Sequence, residues 1–415
     1  MTVVRKKILL TGTPVWSQTR KPPVARGPSR SKKNLDVLVI GAGVSGALVA
    51  DLLSEAGFSV LIVDRRGPIR GSSSASTALL QSDIDVPLTH LAEKVGLEDA
   101  QRHYQRSKLA VRALAERVHH LGIGCDLVDR ESLYLAGDVL DAKALAKENE
   151  ARRRAGLESQ LLSRDQVKAF FGFDRSAALL GGGNCSANPV ELTAGILNAA
   201  MGRGAQLVAP LEIAELDETG RGVVATTKHG DTIHARYAVY ATGYELPFAV
   251  SKRDHRLVST YAIATKPQKR ALWPGECLIW EASDPYLYLR TTADGRIICG
   301  GGDEDFEDED LRDALLEKKT RYLEGKLRAM LPHADPRAAF RWTGTFGTTP
   351  TGTPRIGALP RHDRILAVLG YGGNGFTFST IAAQVIRGII TGQPDPDADL
   401  YRFHNMAPAS QHRGA

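Results

Sequence analysis

The clearest pattern of apolar and polar positions along the chain predicts two strands with one helix between them. Residues 35–40 form a short, mostly apolar run, which is typical of a strand buried on both faces of a sheet. Residues 47–56 carry apolar side chains at helical spacing, and Gly57 follows as a helix stop. A second apolar run over 59–63 ends at Asp64. The three segments predict one βαβ unit of about thirty residues.

The same two patterns recur through the rest of the chain. Helical spacing is found in five further segments: 87–118, around 152–154, 190–201, from 311 onward, and 376–390. Short apolar runs predict strands in four places: near 207–211, 222–227, 237–243 and 365–369. Between 257 and 302, several extended stretches are separated by Pro and Gly, which predicts an antiparallel sheet.

Length and composition are those of a globular protein with two domains. The chain has 415 residues, of which 43% are hydrophobic and 24% are charged. Its longest apolar runs are far shorter than a membrane-spanning helix, so no membrane span is expected. The four cysteines lie far apart, which predicts neither a disulfide framework nor a metal site. We therefore expect a cytoplasmic protein with reduced cysteines.

The net charge of +6 comes from the N-terminus. Residues 1–34 carry nine Lys or Arg and no acid, and the remaining residues contain 44 basic and 47 acidic side chains. Because the basic character belongs to this extension, we expect no nucleic-acid partner. The extension also lacks the long apolar stretch of a secretory signal.

A glycine-rich turn joins the first predicted strand to its helix. Gly41 permits a tight turn, Gly43 lets the backbone approach a pyrophosphate, and Gly46 allows close packing of helix and strand. Free N–H groups at the helix start would face the phosphates. Asp64, at the end of the second strand, is placed to accept hydrogen bonds from ribose hydroxyls. The motif predicts a bound dinucleotide held by these residues together with Val44 and Ser45.

Four more segments resemble one family of enzymes. They are the small-residue segment Gly71-Ser72-Ser73-Ser74-Ala75-Ser76-Thr77-Ala78-Leu79-Leu80, then Tyr240-Ala241-Thr242-Gly243, then Gly352-Thr353-Pro354-Arg355-Ile356-Gly357, and finally Gly370-Tyr371-Gly372-Gly373-Asn374-Gly375-Phe376-Thr377. From about residue 35 to 392, and in family order, the chain resembles the FAD-dependent D-amino acid oxidase-like (DAO) oxidoreductases, which include glycine oxidase and sarcosine oxidase.

The resemblance implies an α/β fold with FAD as the cofactor. A Rossmann-like FAD-binding domain would be interleaved with a substrate domain on a mixed or antiparallel sheet. Besides the glycine turn and Asp64, the residues implied at the cofactor are Arg65, Ser72, Ser73, Thr77, Ala78, Leu79, Ile213, Gly243, Gly373, Asn374, Gly375, Phe376 and Thr377. The last five open a helix, whose N–H groups would stabilise the negative charge of a reduced flavin ring.

Three positions depart from the family pattern. Phe346 stands where glycine oxidase-like members place an arginine that binds the substrate carboxylate. Gly344 stands where the covalently flavinylated sarcosine oxidases carry a cysteine, so we expect noncovalent FAD. Ala78 stands where many members have glycine.

Other side chains are candidates for contact with the substrate. Tyr286, Tyr288 and Arg290 alternate along a predicted strand and would share one face. The alternative is that the three side chains form a row on the protein surface, or that Arg290 forms a structural ion pair with Asp303 or Glu304. An arginine from elsewhere in the chain, such as Arg290 or Arg341, could also replace the missing one at position 346.

We predict seven segments in the domain organisation. Residues 1–34 form a basic extension that is dispensable for flavin binding, with 11–16 packing on the body. The FAD-binding domain comprises 35–86, 180–250 and 343–395, the substrate domain 87–179 and 251–342, and a C-terminal tail 396–415.

The resemblance implies oxidation of a C–N bond of an amine or N-substituted amino acid, with oxygen or another acceptor reoxidising the flavin. Two alternatives remain open: oxidation of a 2-hydroxy acid or polyol, or a flavin-carrying subunit of an electron-transfer complex. No pattern in the sequence predicts an oligomeric state.

Overall fold

A computed structural model describes residue 4 and residues 6–18, 35–245, 247, 250 and 255–403. In these residues the chain forms 18 strands and 9 α-helices. The strands are β1 (Leu10–Thr13), β2 (Leu35–Ile40), β3 (Val60–Val63), β4 (Leu79–Leu80), β5 (Val128–Leu135), β6 (Gln160–Ser163), β7 (Ala177–Ser186), β8 (Gln206–Val208), β9 (Ile213–Thr219), β10 (Gly222–Thr227), β11 (Thr232–Tyr240), β12 (Arg256–Thr265), β13 (Leu278–Glu281), β14 (Leu287–Thr291), β15 (Ile297–Glu304), β16 (Ala338–Thr348), β17 (Arg355–Ala358) and β18 (Ile365–Leu369). The helices are α1 (Val44–Glu55), α2 (Leu88–Val95), α3 (Leu97–His120), α4 (Ala142–Arg154), α5 (Arg164–Phe171), α6 (Pro189–Gly202), α7 (Glu309–Ala314), α8 (Leu316–Met330) and α9 (Gly375–Thr391).

The first sheet has eight strands and contains the predicted βαβ unit. Its order is β17-β18-β11-β2-β3-β8, with β10 paired to β11 and β9. Strands β18, β11, β2, β3 and β8 are parallel to one another, and β2 lies at the centre. Because helices α1, α6 and α9 pack together over this sheet, β2 is buried along nearly its whole length.

The second sheet has ten strands and is mixed, as predicted for the substrate domain. Its order is β1-β16-β12-β15-β14-β13-β5-β7-β4, with β6 paired to β7. Among the described pairings within this sheet, only the β13–β5 pair is parallel. A separate apolar core lies between this sheet and α8, where Leu323 and Leu327 are fully buried.

The N-terminal segment differs from its prediction as a basic extension. Strand β1 pairs antiparallel with residues 341–344 of β16 and forms the edge of the ten-stranded sheet. Leu9, Val15 and Trp16 are buried beside it. The described residues up to 18 are therefore part of the folded body. The less polar composition of residues 11–16 predicts this packing on the body.

Three predicted boundaries also shift. The boundary at 180 falls within β7 and the boundary at 343 within β16, and both strands belong wholly to the ten-stranded sheet. At the other end, Tyr401 is fully buried and its ring packs edge-on against His103 of α3. The predicted tail therefore begins after this contact, and residues 404–415 lie outside the described residues. The division into two domains itself stays a prediction.

The long helical segment predicted over 87–118 is two helices. Gly96 separates α2 from α3 with a φ of +89°, a conformation that few other residues adopt. No helix in the described part of the chain is long and apolar enough to cross a membrane.

Candidate functional site

The glycine turn between β2 and α1 has the geometry that its sequence predicts. Gly41 has a φ of +118°, and a Cβ atom there would collide with the carbonyl oxygen of Ala241. A Cβ atom on Gly46 would collide with the carbonyl oxygen of Gly41. Gly43 caps α1, and its own Cβ would lie 3.0 Å from Ser73 Oγ. Because these positions exclude side chains, the start of α1 remains open to a phosphate group.

Two cavities meet at this turn. The glycine-loop cavity, of about 760 Å³ including its open mouth, runs from the turn past Asp64, Arg65 and Ile213. The aromatic cavity, of about 1180 Å³ including its mouth, lies between the two sheets and reaches the start of α9. Both are lined by Val44, Ser45, Ser72, Ser73 and Gly243. The shared lining makes them one continuous trench.

The trench gathers most of the predicted cofactor and substrate residues. The glycine-loop cavity is lined by Gly41, Gly43, Val44, Ser45, Asp64, Arg65, Ser72, Ser73, Ile213 and Gly243. The aromatic cavity adds Thr77, Ala78, Leu79, Tyr286, Tyr288, Phe346, Gly373, Asn374, Gly375 and Phe376. Three predicted residues do not line either cavity: Gly46, Arg290 and Thr377.

The residues present fit an FAD molecule in an extended conformation. The open start of α1 suits the pyrophosphate, and the start of α9 suits an anionic flavin ring. The Ser72 hydroxyl is buried without a hydrogen-bond partner in the described structure, as expected of a side chain that contacts a bound group. Ser73 Oγ accepts a hydrogen bond of 3.0 Å from Val44 N at the same helix start.

Asp64 lies where the adenosine ribose is expected and also supports the turn. Its carboxylate accepts hydrogen bonds from the backbone N–H groups of Ala42 at 2.9 Å, Arg66 at 2.8 Å and Gly67 at 3.0 Å. A carboxylate has about four acceptor sites, so one remains for a ribose hydroxyl.

We expect Asp64→Ala to weaken FAD binding by about ten- to a hundredfold, because it removes charge-assisted hydrogen bonds worth about 1.5–3 kcal/mol. Asp64→Asn is the matched control, since it keeps one acceptor oxygen and should lose less affinity. Titration of the apoprotein with FAD measures both, and unchanged affinity in the alanine variant would show that Asp64 does not face the ribose.

Beside Asp64, Glu245 forms a buried ionic cluster that the sequence did not indicate. Its carboxylate pairs with the guanidinium groups of Arg65 and Arg66 and accepts a hydrogen bond of 2.9 Å from Lys7 N. Glu245 therefore joins the N-terminal segment to the β3 end. Val4 and Leu9 extend the wall of the glycine-loop cavity from the same segment.

The segment 75–78 forms one wall of the aromatic cavity and is held by its carbonyl groups. Trp342 Nε1 donates to Ala75 O at 2.9 Å, and Trp16 Nε1 donates to Ser76 O at 2.8 Å. Arg290 donates to the carbonyl oxygens of Thr77 and Ala78 at 3.1 and 2.8 Å. Three side chains distant in sequence thus fix this wall.

Arg290, predicted to contact the substrate, does not line either cavity. Its guanidinium is buried behind Ala78, donates also to Ala187 O at 2.9 Å and stacks 5.5 Å from the Trp16 ring centre. Its donors are used by carbonyl groups, and the burial lowers its pKa to about 9. Arg341 is not the replacement either, because it pairs with Glu317 and is half-exposed.

The backbone conformation of Ala78 explains why the family pattern has glycine at this position. Its φ is +53°, in the left-handed region where a Cβ atom is unfavourable. The bond from Arg290 holds its carbonyl, and a further bond of 3.1 Å joins its N–H to Ser76 Oγ. These contacts stabilise a conformation that glycine adopts at lower cost.

The start of α9 is fixed to the segment that precedes α2. Thr377 Oγ1 donates to Gln81 O at 2.8 Å, and the Asn374 side chain donates to Asp83 O. Gly373 N donates to Asp85 Oδ2 at 2.6 Å. Thr377 therefore positions the helix start from behind the cavity, whereas Gly373 and Asp85 face into it.

The walls of the aromatic cavity explain its name. Phe346, Tyr286 and Tyr288, all predicted here, are joined by aromatic residues that the sequence did not single out: Tyr244, Tyr261, Trp280, Trp342, Tyr371 and Phe376. Burial raises the pKa of Tyr288, Tyr286 and Tyr244 well above the usual range, so their hydroxyls stay protonated. Asp85 is also a missed residue, because a lone Asp in a loop carries no signal in one sequence.

We predict that FAD is bound without a covalent link. Gly344 lines the aromatic cavity and has no thiol, and the four cysteines are buried away from both cavities. Acid precipitation should leave the yellow colour in the supernatant. A yellow pellet would show a covalent bond.

Comparisons with known proteins agree with this geometry. A family model described as FAD dependent oxidoreductase (DAO) matches residues 36–388. Gamma-glutamylputrescine oxidoreductase of Escherichia coli (strain K12) is 24% identical over 371 residues, which cover 87% of this chain and 84% of that protein. A glycine oxidase structure from Geobacillus kaustophilus has a TM-score of 0.71 at 19% identity and covers 91% of this chain and 100% of its own. An L-proline dehydrogenase structure from P. horikoshii has a TM-score of 0.74 at 19% identity and covers 89% and 96%. The predicted fold class is confirmed.

Proposed function

Because this chain belongs to the FAD dependent oxidoreductase (DAO) family, whose model matches most of its length, we propose that it oxidises a C–N bond of an amine or N-substituted amino acid. It is an FAD-dependent enzyme of the amine or amino acid oxidase and dehydrogenase type. The observation that carries the proposed reaction is the single trench: the glycine turn suited to a phosphate at one end continues into the aromatic cavity at the other.

The protein side of the reaction is binding, orientation and exclusion of water. The bound FAD would supply the chemistry, uptake of a hydride from the carbon beside the substrate nitrogen, which leaves an imine that water hydrolyses to a carbonyl compound and an amine. Residues of the α1 turn and the 72–79 segment would hold the cofactor. The N–H groups of Gly375, Phe376 and Thr377, which open α9, would stabilise negative charge on the reduced ring.

The opposite wall would hold the substrate. Trp280 lies on β13, Tyr288 on β14 and Phe346 on β16, and Tyr286 immediately precedes β14. Their rings exclude water from the reacting carbon, which favours hydride transfer over side reactions. Hydride transfer requires the unprotonated amine, so a substrate that binds as an ammonium ion must first release one proton to a base or to water.

Product analysis tests the proposal. Secondary amines and N-substituted amino acids should yield a carbonyl compound and a released amine in equal amounts, with an artificial electron acceptor present. A parallel panel of 2-hydroxy acids and polyol phosphates should yield no product. Turnover of the second panel alone would favour alcohol oxidation, and activity that appears only with a copurified second chain would favour an electron-transfer subunit.

A further inference from the structure

We infer that the aromatic cavity binds its substrate as a cationic amine without a carboxylate beside the reacting carbon, and that Asp85 is the counter-ion. This inference rests on the proposed function and names the substrate class of the same site. It comes from the charges around the cavity, from the position of Asp85, and from the aromatic walls.

The described lining of the aromatic cavity contains no Arg, Lys or His, and its one ionisable acid is Asp85. A carboxylate brought into such a site would lose its hydration without gaining an opposite charge, which costs several kcal/mol. An ammonium ion in the same cavity would instead face a carboxylate and aromatic rings, which both attract positive charge. Aromatic faces attract cations at about 6 Å, and this is how proteins bind quaternary ammonium groups.

Asp85 has the geometry of a counter-ion that lacks its partner. Its carboxylate projects into the cavity and accepts one hydrogen bond, from Gly373 N. No ion pair joins it to a basic side chain in the described part of the chain. Asp85 lines the cavity but is itself exposed to solvent. Desolvation by the surrounding protein raises the pKa of its carboxyl group, and a neighbouring cation would stabilise the charged form.

The loop that carries Asp85 is rigidly held. Arg152 pairs with Asp83 at 2.5 Å and with Glu148 at 2.8 Å, all three in the protein interior. Glu148 in turn accepts hydrogen bonds of 2.9 Å from Leu88 N and Thr89 N at the start of α2. Asp85 lies between these two anchored points. Its position is therefore set by the fold and does not depend on a ligand.

A second acid lies behind the wall of the cavity and adds negative charge only when it is ionised. Asp303 lies behind Tyr286 and Thr260, its oxygens are buried without a well-formed hydrogen bond, and burial raises its pKa to about 7. The basic groups nearby have other partners. Lys319 pairs with Glu304 at 2.6 Å, and Arg312, which donates to Thr345 in the cavity wall, pairs with Asp313 at 2.8 Å.

The test uses three ligands of similar shape that the flavin cannot oxidise readily: choline, its neutral isostere 3,3-dimethyl-1-butanol, and glycine betaine, which adds a carboxylate. Calorimetry on the FAD-loaded protein measures binding without turnover. We expect choline to bind at least about tenfold more tightly than either of the other two.

Asp85→Asn separates the counter-ion from the aromatic walls. The amide oxygen can still accept the bond from Gly373 N, so the loop is preserved. We expect about a tenfold loss of choline affinity with no change for the neutral isostere, and Glu150→Gln, an exposed acid on α4, should change neither. Unchanged choline binding in Asp85→Asn would overturn the assignment of Asp85.

Equal binding of choline and the neutral isostere, or no binding of choline, would overturn the inference. Tighter binding of betaine would reveal an anion site in its place. These outcomes are distinct from failure of the proposed function, because an enzyme that oxidises amino acids would still pass the product test and would fail here.

Discussion

A chain that lacks residues 1–30 should be unable to retain FAD. Removal of β1 exposes the edge of β16, and removal of Trp16 leaves Ser76 O without its donor and Arg290 without its stacking partner. Burial of Leu9, Val15 and Trp16 contributes about 1.5–3 kcal/mol for each side chain. This expectation reverses the one from sequence, which treated the segment as dispensable.

The measurement is the molar ratio of FAD to protein after gel filtration, with thermal unfolding alongside. Trp16→Ala should lower the unfolding temperature and weaken FAD binding, since loss of a buried Trp costs about 3–5 kcal/mol. Trp16→Phe is the control that keeps most of the ring but not its N–H donor. A truncated protein that is soluble and as yellow as the full chain would contradict the account.

Glycine, sarcosine and D-alanine should be very poor substrates. Phe346 lines the cavity at the position where the family resemblance implies a carboxylate-binding arginine, and Arg290 and Arg341 are engaged elsewhere. An unpaired buried carboxylate costs several kcal/mol, which corresponds to a reduction of about a hundredfold or more in kcat/KM. Small amino acids have no remote group whose binding could offset this cost.

Matched pairs make the comparison direct. Sarcosine and N-methylnorleucine are each compared with the amine that lacks their carboxylate, dimethylamine and N-methylpentylamine. The rate of anaerobic flavin reduction should favour the amine in both pairs and should be highest for N-methylpentylamine. Efficient reduction by sarcosine or D-alanine would show that another group binds the carboxylate.

The parts of the structure that could be predicted from sequence are those with strong local patterns. Strand β2 and strand β18 begin and end where their apolar runs do, because both are buried on two faces. The glycine turn could be predicted because close approach of backbone to backbone requires glycine at Gly41 and Gly46.

The parts that escaped prediction depend on distant contacts. Arg290 was placed by its spacing from Tyr288, yet it binds carbonyl groups more than two hundred positions earlier in the chain. Asp85 contacts Gly373 in the loop before α9, and Trp16 contacts Ser76 in the segment 75–78. Neither contact leaves a pattern in the neighbouring sequence. Long-range pairing of single polar groups is not encoded in periodicity.

The central claim is that amines reduce the flavin held in this trench, and anaerobic mixing tests it most directly. The FAD-loaded protein is mixed without oxygen with a panel of secondary amines, 2-hydroxy acids and polyol phosphates, and the visible flavin absorbance is followed. The account predicts that one or more of the amines bleach the flavin and that the hydroxy compounds do not. Bleaching by hydroxy compounds alone, or by no member of a broad panel, would contradict it.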